Sequence, residues 1–166
     1  MSVSAEYYID KLKLKSHPEG GLYRRVYEAR ESIAQVALPA RFSGARTFAT
    51  SIYYFLRGDE VSRFHRIKSD EVWHFYAGSR LTLHMLNEKG YRELYLGSEL
   101  EAGAAFQAVI PAGVWFGASL EQQDSFALVG CTVAPGFDFV DFELAQREAL
   151  LAQYPEQQEL ILRLTE

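Results

Sequence analysis

Short runs of β-branched and aromatic residues, separated by turn-forming residues, limit most strongly what this chain can fold into. Turn signals such as Arg57-Gly-Asp59 and Asn87-Glu-Lys-Gly90 divide the runs, which recur about every ten residues. The nine runs are Leu22–Glu28, Thr47–Leu56, Val61–Arg66, Glu71–Ala77, Leu81–Leu86, Tyr91–Leu96, Phe106–Ile110, Val114–Ala118 and Phe126–Val133. This spacing predicts an antiparallel sandwich or barrel and argues against alternating β/α units.

Helical patterns occur only at the two ends of the chain. Ser4 is a suitable cap for a helix over about Ala5–Lys13. Near the other end, Asp141 is a plausible cap for a helix over Phe142–Gln153, and Pro155 opens a second helix through Leu162. We therefore expect a mainly β protein with one short N-terminal helix and two C-terminal helices, which cover one end of the barrel or a partner subunit.

Composition and charge exclude several classes of protein. The 166 residues, 48% of them hydrophobic, suffice for one core, so we expect one domain over residues 1–166. The formal net charge of -5, without a run of Lys or Arg, argues against a nucleic-acid partner. No apolar stretch approaches membrane-spanning length, and Met1–Lys15 lacks the layout of a secretory signal. We expect a cytoplasmic protein without a membrane partner, in which the single Cys131 is a small buried side chain.

The sharpest chemical feature is a cluster of histidines. Three of the four histidines in the chain, His65, His74 and His84, fall within one short window together with Glu71. Histidine suits both proton transfer near neutral pH and metal ligation, and a nearby carboxylate can orient it or join it as a ligand. The window therefore predicts a site for proton transfer or for a metal.

Two stretches resemble the paired motifs of the cupin superfamily. Within Phe64–Gly78, His65 matches the first histidine of the first motif, Glu71 the glutamate and Gly78 the glycine. The second motif is partly matched by Pro111–Phe116. The resemblance implies an antiparallel double-stranded β-helix, the jelly-roll or cupin barrel, with its core over about residues 21–140.

Two further stretches narrow the resemblance. With His17-Pro-Glu-Gly-Gly21 and Pro135-Gly-Phe-Asp-Phe139, the chain is similar to an uncharacterised cupin branch, a domain of unknown function. Members of that branch resemble both seed-storage globulins and sugar-nucleotide 3,5-epimerases. The resemblance also implies a homodimer that pairs one sheet with its counterpart.

Departures from the cupin motifs argue against a metal. Ile67 stands where the second metal-binding histidine is expected, and Phe116 where the third is. Period-2 alternation turns His74 to the face opposite Glu71, so His74 does not replace them without a bulge. We therefore predict neither a metal nor another cofactor, and a metal-dependent cupin with an unusual ligand set stays the less favoured alternative.

The resemblance to the metal-free epimerases suggests a different chemistry. In that family a histidine at the position of His65 is the general base beside a carboxylate, here Glu71. Tyr53 is the candidate acid, with Tyr54 as the alternative, depending on which faces the cavity. The prediction is an isomerase or epimerase of a carbonyl-containing sugar derivative. A binding protein that holds a small polar metabolite without converting it is equally compatible with the sequence.

Other residues are candidates for ligand binding, each with a plainer structural explanation. Tyr23 and Arg24 could anchor an anionic ligand, or could be an exposed arginine beside a packing tyrosine. His17 and Glu19 could shape the pocket mouth or only stabilise a turn. The rings of Trp73, Phe75 and Trp115 could form an aromatic wall for a ligand, or they could simply be part of the hydrophobic core. His84 should be either a cavity residue or an exposed one.

Overall fold

The structure is a computed structural model that describes residues 4–166. The strands of this part of the chain are β1 Lys15–Ser16, β2 Leu22–Glu28, β3 Ser32–Ile33, β4 Arg46–Thr47, β5 Thr50–Arg57, β6 Val61–Arg66, β7 Asp70–Gly78, β8 Leu81–Asn87, β9 Gly90–Leu96, β10 Gln107–Ile110, β11 Trp115–Leu120, β12 Phe126–Ala134 and β13 Glu143–Leu144. Each of the nine predicted runs forms a strand, with bounds shifted by a few residues at most. The two-residue strands were not predicted, because they are too short to show a period.

Two antiparallel sheets build the barrel. The first sheet has the strand order β1-β2-β5-β12-β7-β10, and the second has the order β13-β6-β11-β8-β9. The inner faces of both sheets contribute to one buried core, in which Trp73 and Val129 of the first sheet join Leu83, Met85 and Phe116 of the second. The predicted antiparallel jelly roll is confirmed.

The N-terminal helix follows its prediction closely. Helix α1 spans Ala5–Leu12, and the hydroxyl of Ser4 accepts a hydrogen bond from the backbone N–H of Tyr7. This bond satisfies one of the free N–H groups in the first turn. Among residues 4–166, no helix has the length and hydropathy needed to cross a bilayer.

The C-terminal helices differ from their prediction. Asp141 caps no α-helix, because both of its carboxylate oxygens accept hydrogen bonds from the buried guanidinium of Arg46, at 2.6 and 2.7 Å. Glu143–Leu144 then pair with β6, so helix α2 begins only at Arg147 and spans Arg147–Gln153. Pro155 begins a short 3-10 turn that precedes helix α3, Gln158–Arg163.

Both C-terminal helices cover the outer face of the second sheet rather than an end of the barrel. Leu150 of α2 and Ile161 of α3 form a second buried cluster with Phe64 and Leu86, which point away from the barrel interior. The inner face of the second sheet therefore remains available for the barrel core and for a cavity.

Candidate functional site

One cavity opens between the two sheets and holds most of the ionisable groups in the barrel interior. Its free volume is about 40 Å³. Ligand pockets for drug-sized molecules measure roughly 300–1,000 Å³, so this one has room for a group of only a few non-hydrogen atoms. The polar and ionisable groups that line its inner part are His17, Glu19, Tyr54, His65, Glu71 and Cys131.

Glu19 reaches the cavity from a tight turn between β1 and β2. Gly20 and Gly21 follow it with φ of 107° and 69°, angles that favour glycine. A Cβ on Gly20 would lie 2.2 Å from the carbonyl oxygen of Val61, so the turn also needs glycine for its close approach to β6. The Ser62 hydroxyl donates to Oε1 of Glu19 at 2.9 Å, which fixes the carboxylate.

His65 points inward because of a β-bulge in β6. Opposite β11, Ala118 pairs with Ser62 but Phe116 pairs with His65, so β6 carries one extra residue between these pairs. The extra residue brings both Ser62 and His65 to the inner face, which regular alternation would not allow. At the bulge a Cβ on Gly117 would lie 2.6 Å from the Ser62 carbonyl oxygen, so the two strands approach too closely for a larger residue.

The protonation of His65 follows from its two neighbours. Nδ1 lies 2.7 Å from the carbonyl oxygen of Arg63, which can only accept, so Nδ1 carries a hydrogen. Nε2 lies 3.0 Å from Oε2 of Glu19. Because both neighbours are acceptors, the arrangement fits an imidazolium held between a carbonyl group and a carboxylate.

The mutual effects of this pair oppose the effect of burial. Burial lowers the pKa of His65, but the charge and hydrogen bond of Glu19 and the Arg63 carbonyl outweigh it, so the pKa is raised. Burial likewise raises the pKa of Glu19, yet the charge and hydrogen bond of His65, helped by the hydrogen bond of Ser62, hold that pKa below its ordinary value. Glu19 and His65 therefore form a buried ion pair at neutral pH.

Glu71 is the second carboxyl group of the cavity and behaves differently from Glu19. Burial and the charge of Glu19 raise the pKa of Glu71 to about 7, although His65 acts in the opposite direction. The Trp73 indole and the Cys131 thiol also favour its ionised form. The Trp73 N–H is nevertheless buried without a hydrogen-bond partner. A carboxyl group with such a pKa can take up and release a proton near neutral pH.

His17 is a neutral neighbour of the ion pair. Its Nδ1 accepts a hydrogen bond of 3.2 Å from the backbone N–H of Glu19, so the hydrogen of the neutral ring is on Nε2. Burial lowers the pKa of His17 more than the charge of Glu19 raises it. His17 therefore adds a polar ring to the cavity wall without adding charge.

Aromatic rings and one arginine form the mouth of the cavity. Phe137, Phe139 and Phe142 line it together with Tyr23, and Phe139 remains about half exposed to solvent. Arg25 lines the same opening and is itself exposed. The site thus has an apolar collar, a cation at its solvent end and a cluster of His65, Glu19 and Glu71 inside.

Five of the sequence-predicted site residues line this cavity, and a sixth lies next to it. The five that meet there are His17, Glu19, Tyr23, His65 and Glu71. Trp73 is buried in the adjoining core, with its ring centre 5.5 Å from that of Tyr54. The expected partner of His65 was Glu71, but the hydrogen-bonded partner is Glu19.

Two predicted residues of the first sheet point away from the cavity. Tyr53 lies on the outer face, where its ring contacts that of Tyr76, while Tyr54 faces inward and donates from its hydroxyl to the Gly20 carbonyl at 2.8 Å. The prediction of Tyr53 as the acid does not match this geometry. Arg24 pairs in register with Tyr53 and shares its face.

Three more predicted residues lie elsewhere. Phe75 packs against the core without lining the cavity. Trp115 is on the outer face of the second sheet, under the guanidinium of Arg66 at 4.2 Å. His84 is buried on that same outer face, bonded to Ser119 and Tyr91, because alternation along β8 sends Leu83 and Met85 inward instead.

Comparison with known proteins identifies the family. A model described as cupin superfamily (DUF985) matches residues 6–145. The chain belongs to the cupin superfamily. No curated protein matches this cupin. It is similar to a solved protein from Shewanella oneidensis, with 41% identity, 99% of each chain covered and a TM-score of 0.87. It is also similar to a hypothetical protein from Leishmania major, with 30% identity, 98% of this chain and 99% of that chain covered and a TM-score of 0.88.

A more distant likeness concerns the fold alone. Oxalate decarboxylase from Bacillus subtilis shares the fold, with a TM-score of 0.53 and 16% identity over 91% of this chain and 37% of that one. At the expected ligand positions, Ile67 lines the cavity and Phe116 packs its ring 4.1 Å from that of His65. Within residues 4–166, no group of three or more His, Cys, Asp or Glu is arranged to hold a metal. The residues do not fit a cupin metal centre.

Several cavity residues were missed in the sequence. Arg25 was available from alternation, since Tyr23 faces inward and the residue two positions on should follow it. Phe137 and Phe139 lie in the stretch already noted for its family resemblance. Phe142 was predicted to begin a helix, so its position at the mouth of the cavity was not foreseen.

Proposed function

We propose that this cupin binds a small polar carbonyl compound in the barrel cavity and transfers a proton on it without a metal, as an isomerase or epimerase does. The observation that carries the proposal is the Glu71 carboxyl group, which lines the cavity, is buried and has a pKa raised to about 7 by burial and by Glu19. A general base is most effective when its pKa is near the working pH.

The proposed roles of His65 and Glu71 differ from those in the epimerases, where the histidine is the base. Both nitrogens of His65 are engaged, by Arg63 and by Glu19, so His65 is poorly placed to take a proton from a substrate. Its positive charge next to the cavity instead stabilises negative charge that develops on a substrate oxygen. Glu71 is the better base, and the pair of Glu19 and His65 sets the electrostatic field around it.

The proposed step is a proton transfer next to a carbonyl group. The ionised Glu71 takes the proton from the neighbouring carbon, the electron pair of the C–H bond forms a C–C double bond, and the carbonyl π pair moves to oxygen. The product is an enolate, held near the His65 charge. When Glu71 returns a proton to the same carbon and the electrons move back, the carbonyl group re-forms and the hydrogen has exchanged with solvent; a proton added to the opposite face of that carbon gives the epimer.

Exchange of carbon-bound hydrogen with solvent tests this proposal directly. Glyceraldehyde, dihydroxyacetone and pyruvate are each incubated with the protein in D₂O, and loss of the proton signal next to the carbonyl is followed by NMR. We expect exchange above the protein-free rate with at least one compound, and its loss in Glu71→Gln. The matched control is Tyr53→Phe, on the outer face, which should exchange like the wild type. Equal exchange by Glu71→Gln would disprove the role of Glu71.

A non-catalytic binding protein is the second candidate. The specific observation in its favour is that the cavity is small and His65 already has partners at both nitrogens. The same experiment separates the two functions, because a compound that binds without any solvent exchange supports the binding protein and contradicts the isomerase.

A further inference from the structure

The charged groups of the cavity are arranged along its depth. The inner end holds two carboxyl groups, Glu19 and Glu71, of which Glu19 is neutralised by His65. Among the described residues that line the cavity, Arg25 is the one Lys or Arg, and it lies at the exposed end. Lys15 adds positive potential there, with Nζ 5.3 Å from the ring centre of Tyr23. The cavity therefore offers a cation at its mouth and carboxyl oxygens inside.

Arg25 is held only by an exposed ion pair and can exchange that partner for a ligand. Its Nη1 donates to Oε2 of Glu28 at 3.1 Å, but the two side chains are 36% and 51% exposed. Such an exposed pair contributes little stability and exchanges its partner readily. A guanidinium matches a carboxylate with two parallel hydrogen bonds, so a ligand carboxylate competes well with Glu28 for this site.

The free volume limits what lies beyond the mouth. About 40 Å³ is a small fraction of the roughly 300–1,000 Å³ of pockets for drug-sized molecules, so the group that enters has only a few non-hydrogen atoms. Phe137, Phe139 and Phe142 line the cavity, so the part of a ligand that lies between these rings should be uncharged. A sugar nucleotide does not fit within this volume.

We propose that the ligand is a short-chain keto or hydroxy carboxylate, bound with its carboxylate on Arg25 and its carbonyl or hydroxyl end toward Glu71. This orientation follows from charge, since Glu19 and His65 balance each other and an inward carboxylate would face the uncompensated Glu71. The inference rests on the proposed function for the reacting end, whereas the recognition by Arg25 requires only binding.

The test compares pyruvate with its uncharged methyl ester, by NMR titration of the protein. Arg25→Gln is the test variant and Arg24→Gln, one residue away on the outer face, is the matched control. We expect Arg25→Gln to weaken pyruvate binding about tenfold or more, as loss of a charge-assisted pair does. Arg24→Gln should bind pyruvate like the wild type, and the ester should bind all three proteins equally.

Three results would overturn the inference: no pyruvate binding at tens of millimolar, equal loss in both arginine variants, or an ester that binds as tightly as pyruvate. Methyl-group exchange of pyruvate in D₂O separates this inference from the proposed function. Binding through Arg25 without exchange keeps the ligand class and removes the proton transfer. Exchange of pyruvate that is unaffected by Arg25→Gln keeps the proton transfer and removes the ligand class.

Discussion

Nε2 of His65 and Oε2 of Glu19 lie 3.0 Å apart, with both side chains almost fully buried. One side chain comes from a bulged strand and the other from a glycine-rich turn, so two irregular pieces of backbone are needed to form the pair. Removing one partner of a buried ion pair leaves an uncompensated charge and costs about 3–5 kcal/mol, whereas the intact pair contributes far less. The contact therefore specifies the geometry of the site more than it stabilises the fold.

The first prediction concerns the charge of His65. At pH 7 we expect both ring nitrogens to carry hydrogen, because both face acceptors. In Glu19→Gln the main effect that raises the pKa of His65 is lost and burial dominates, so the ring becomes neutral. Imidazole ¹⁵N chemical shifts measure this change. Glu71→Gln is the control and should leave His65 charged, since Glu71 has the smallest of the effects on its pKa.

The second prediction concerns the cost of ionising Glu71. Its pKa is raised from 4.5 to about 7 by burial and by Glu19. The folded state therefore prefers the protonated carboxyl, and stability present below pH 4.5 is lost as the pH rises through 7. A shift of this size corresponds to roughly 3 kcal/mol. Urea unfolding at pH 8 should show Glu71→Gln to be more stable than the wild type by roughly that amount, with no difference near pH 4.

The exposed Glu101→Gln is the matched control for this measurement and should follow the wild type at every pH. A Glu71→Gln protein whose advantage at pH 8 is absent, or is the same at pH 4, contradicts the raised pKa.

The third prediction compares two neighbouring tyrosines. The buried Tyr54 hydroxyl donates to the Gly20 carbonyl in the turn that carries Glu19. Tyr54→Phe leaves that carbonyl without this bond and should lower the free energy of unfolding by about 1–2 kcal/mol. Tyr53→Phe, on the outer face, keeps the ring and removes only its hydroxyl, so it should change this free energy by less than about 0.5 kcal/mol. Equal effects in urea unfolding would contradict the opposite orientations of these rings.

Regular alternation explains how much of the site was predictable. The sequence placed Glu71, Trp73 and Phe75 on one face of β7 and His74 on the other, and the register agrees, with His74 opposite Gly130 and bonded to Gln107 on the outer face. Such a period depends only on the pleat of the strand. The antiparallel jelly roll followed from the same signal, together with the turns.

The remaining features depend on backbone irregularities and on contacts distant in sequence. Nothing in Val61–Arg66 reveals the bulge that turns His65 inward, because the bulge forms only against β11 and Gly117. The role of Glu19 could not be predicted either, because it depends on the turn between β1 and β2 lying close to β6 in the folded chain. Tyr53 is followed by Tyr54, and Arg24 is followed by Arg25. In each pair only one side chain can face the cavity, and the residue types alone do not show which one.

The fourth prediction concerns the outer face of the first sheet. Tyr27, Tyr76 and Val109 are each more than half exposed on this sheet. We propose that a second copy of the chain covers this face. Light scattering should then give twice the 18.9 kDa of one chain. Val109→Glu should reduce this to one chain without unfolding, and Val36→Glu, outside the sheet and 95% exposed, should not. A monomeric wild type would rule the dimer out.

The fifth prediction concerns His84, whose pKa has the opposite influence on stability from that of Glu71. The Tyr91 hydroxyl donates to Glu93 at 2.9 Å and so accepts from Nδ1 of His84, which leaves Nε2 to accept from Ser119. Burial, and to a lesser degree Arg163, lower the pKa of His84 to about 4. The stability that this neutral ring provides is present above pH 6.5 and is lost as the pH falls through 4.

Between pH 4.5 and 6.5 the effects of Glu71 and His84 on the free energy of unfolding have opposite slopes and roughly equal size, about 3 kcal/mol each. They should largely cancel in the wild type. Replacing His84 by Gln should therefore expose the Glu71 slope, with stability falling as the pH rises, and Glu71→Gln should expose the opposite one. The double variant should lose both slopes and keep only the smaller rise with pH that the lowered pKa of His17 produces, because Glu71 and His84 lie on opposite faces of different sheets and act independently. Parallel urea-unfolding curves for all four proteins across this range would contradict both pKa values.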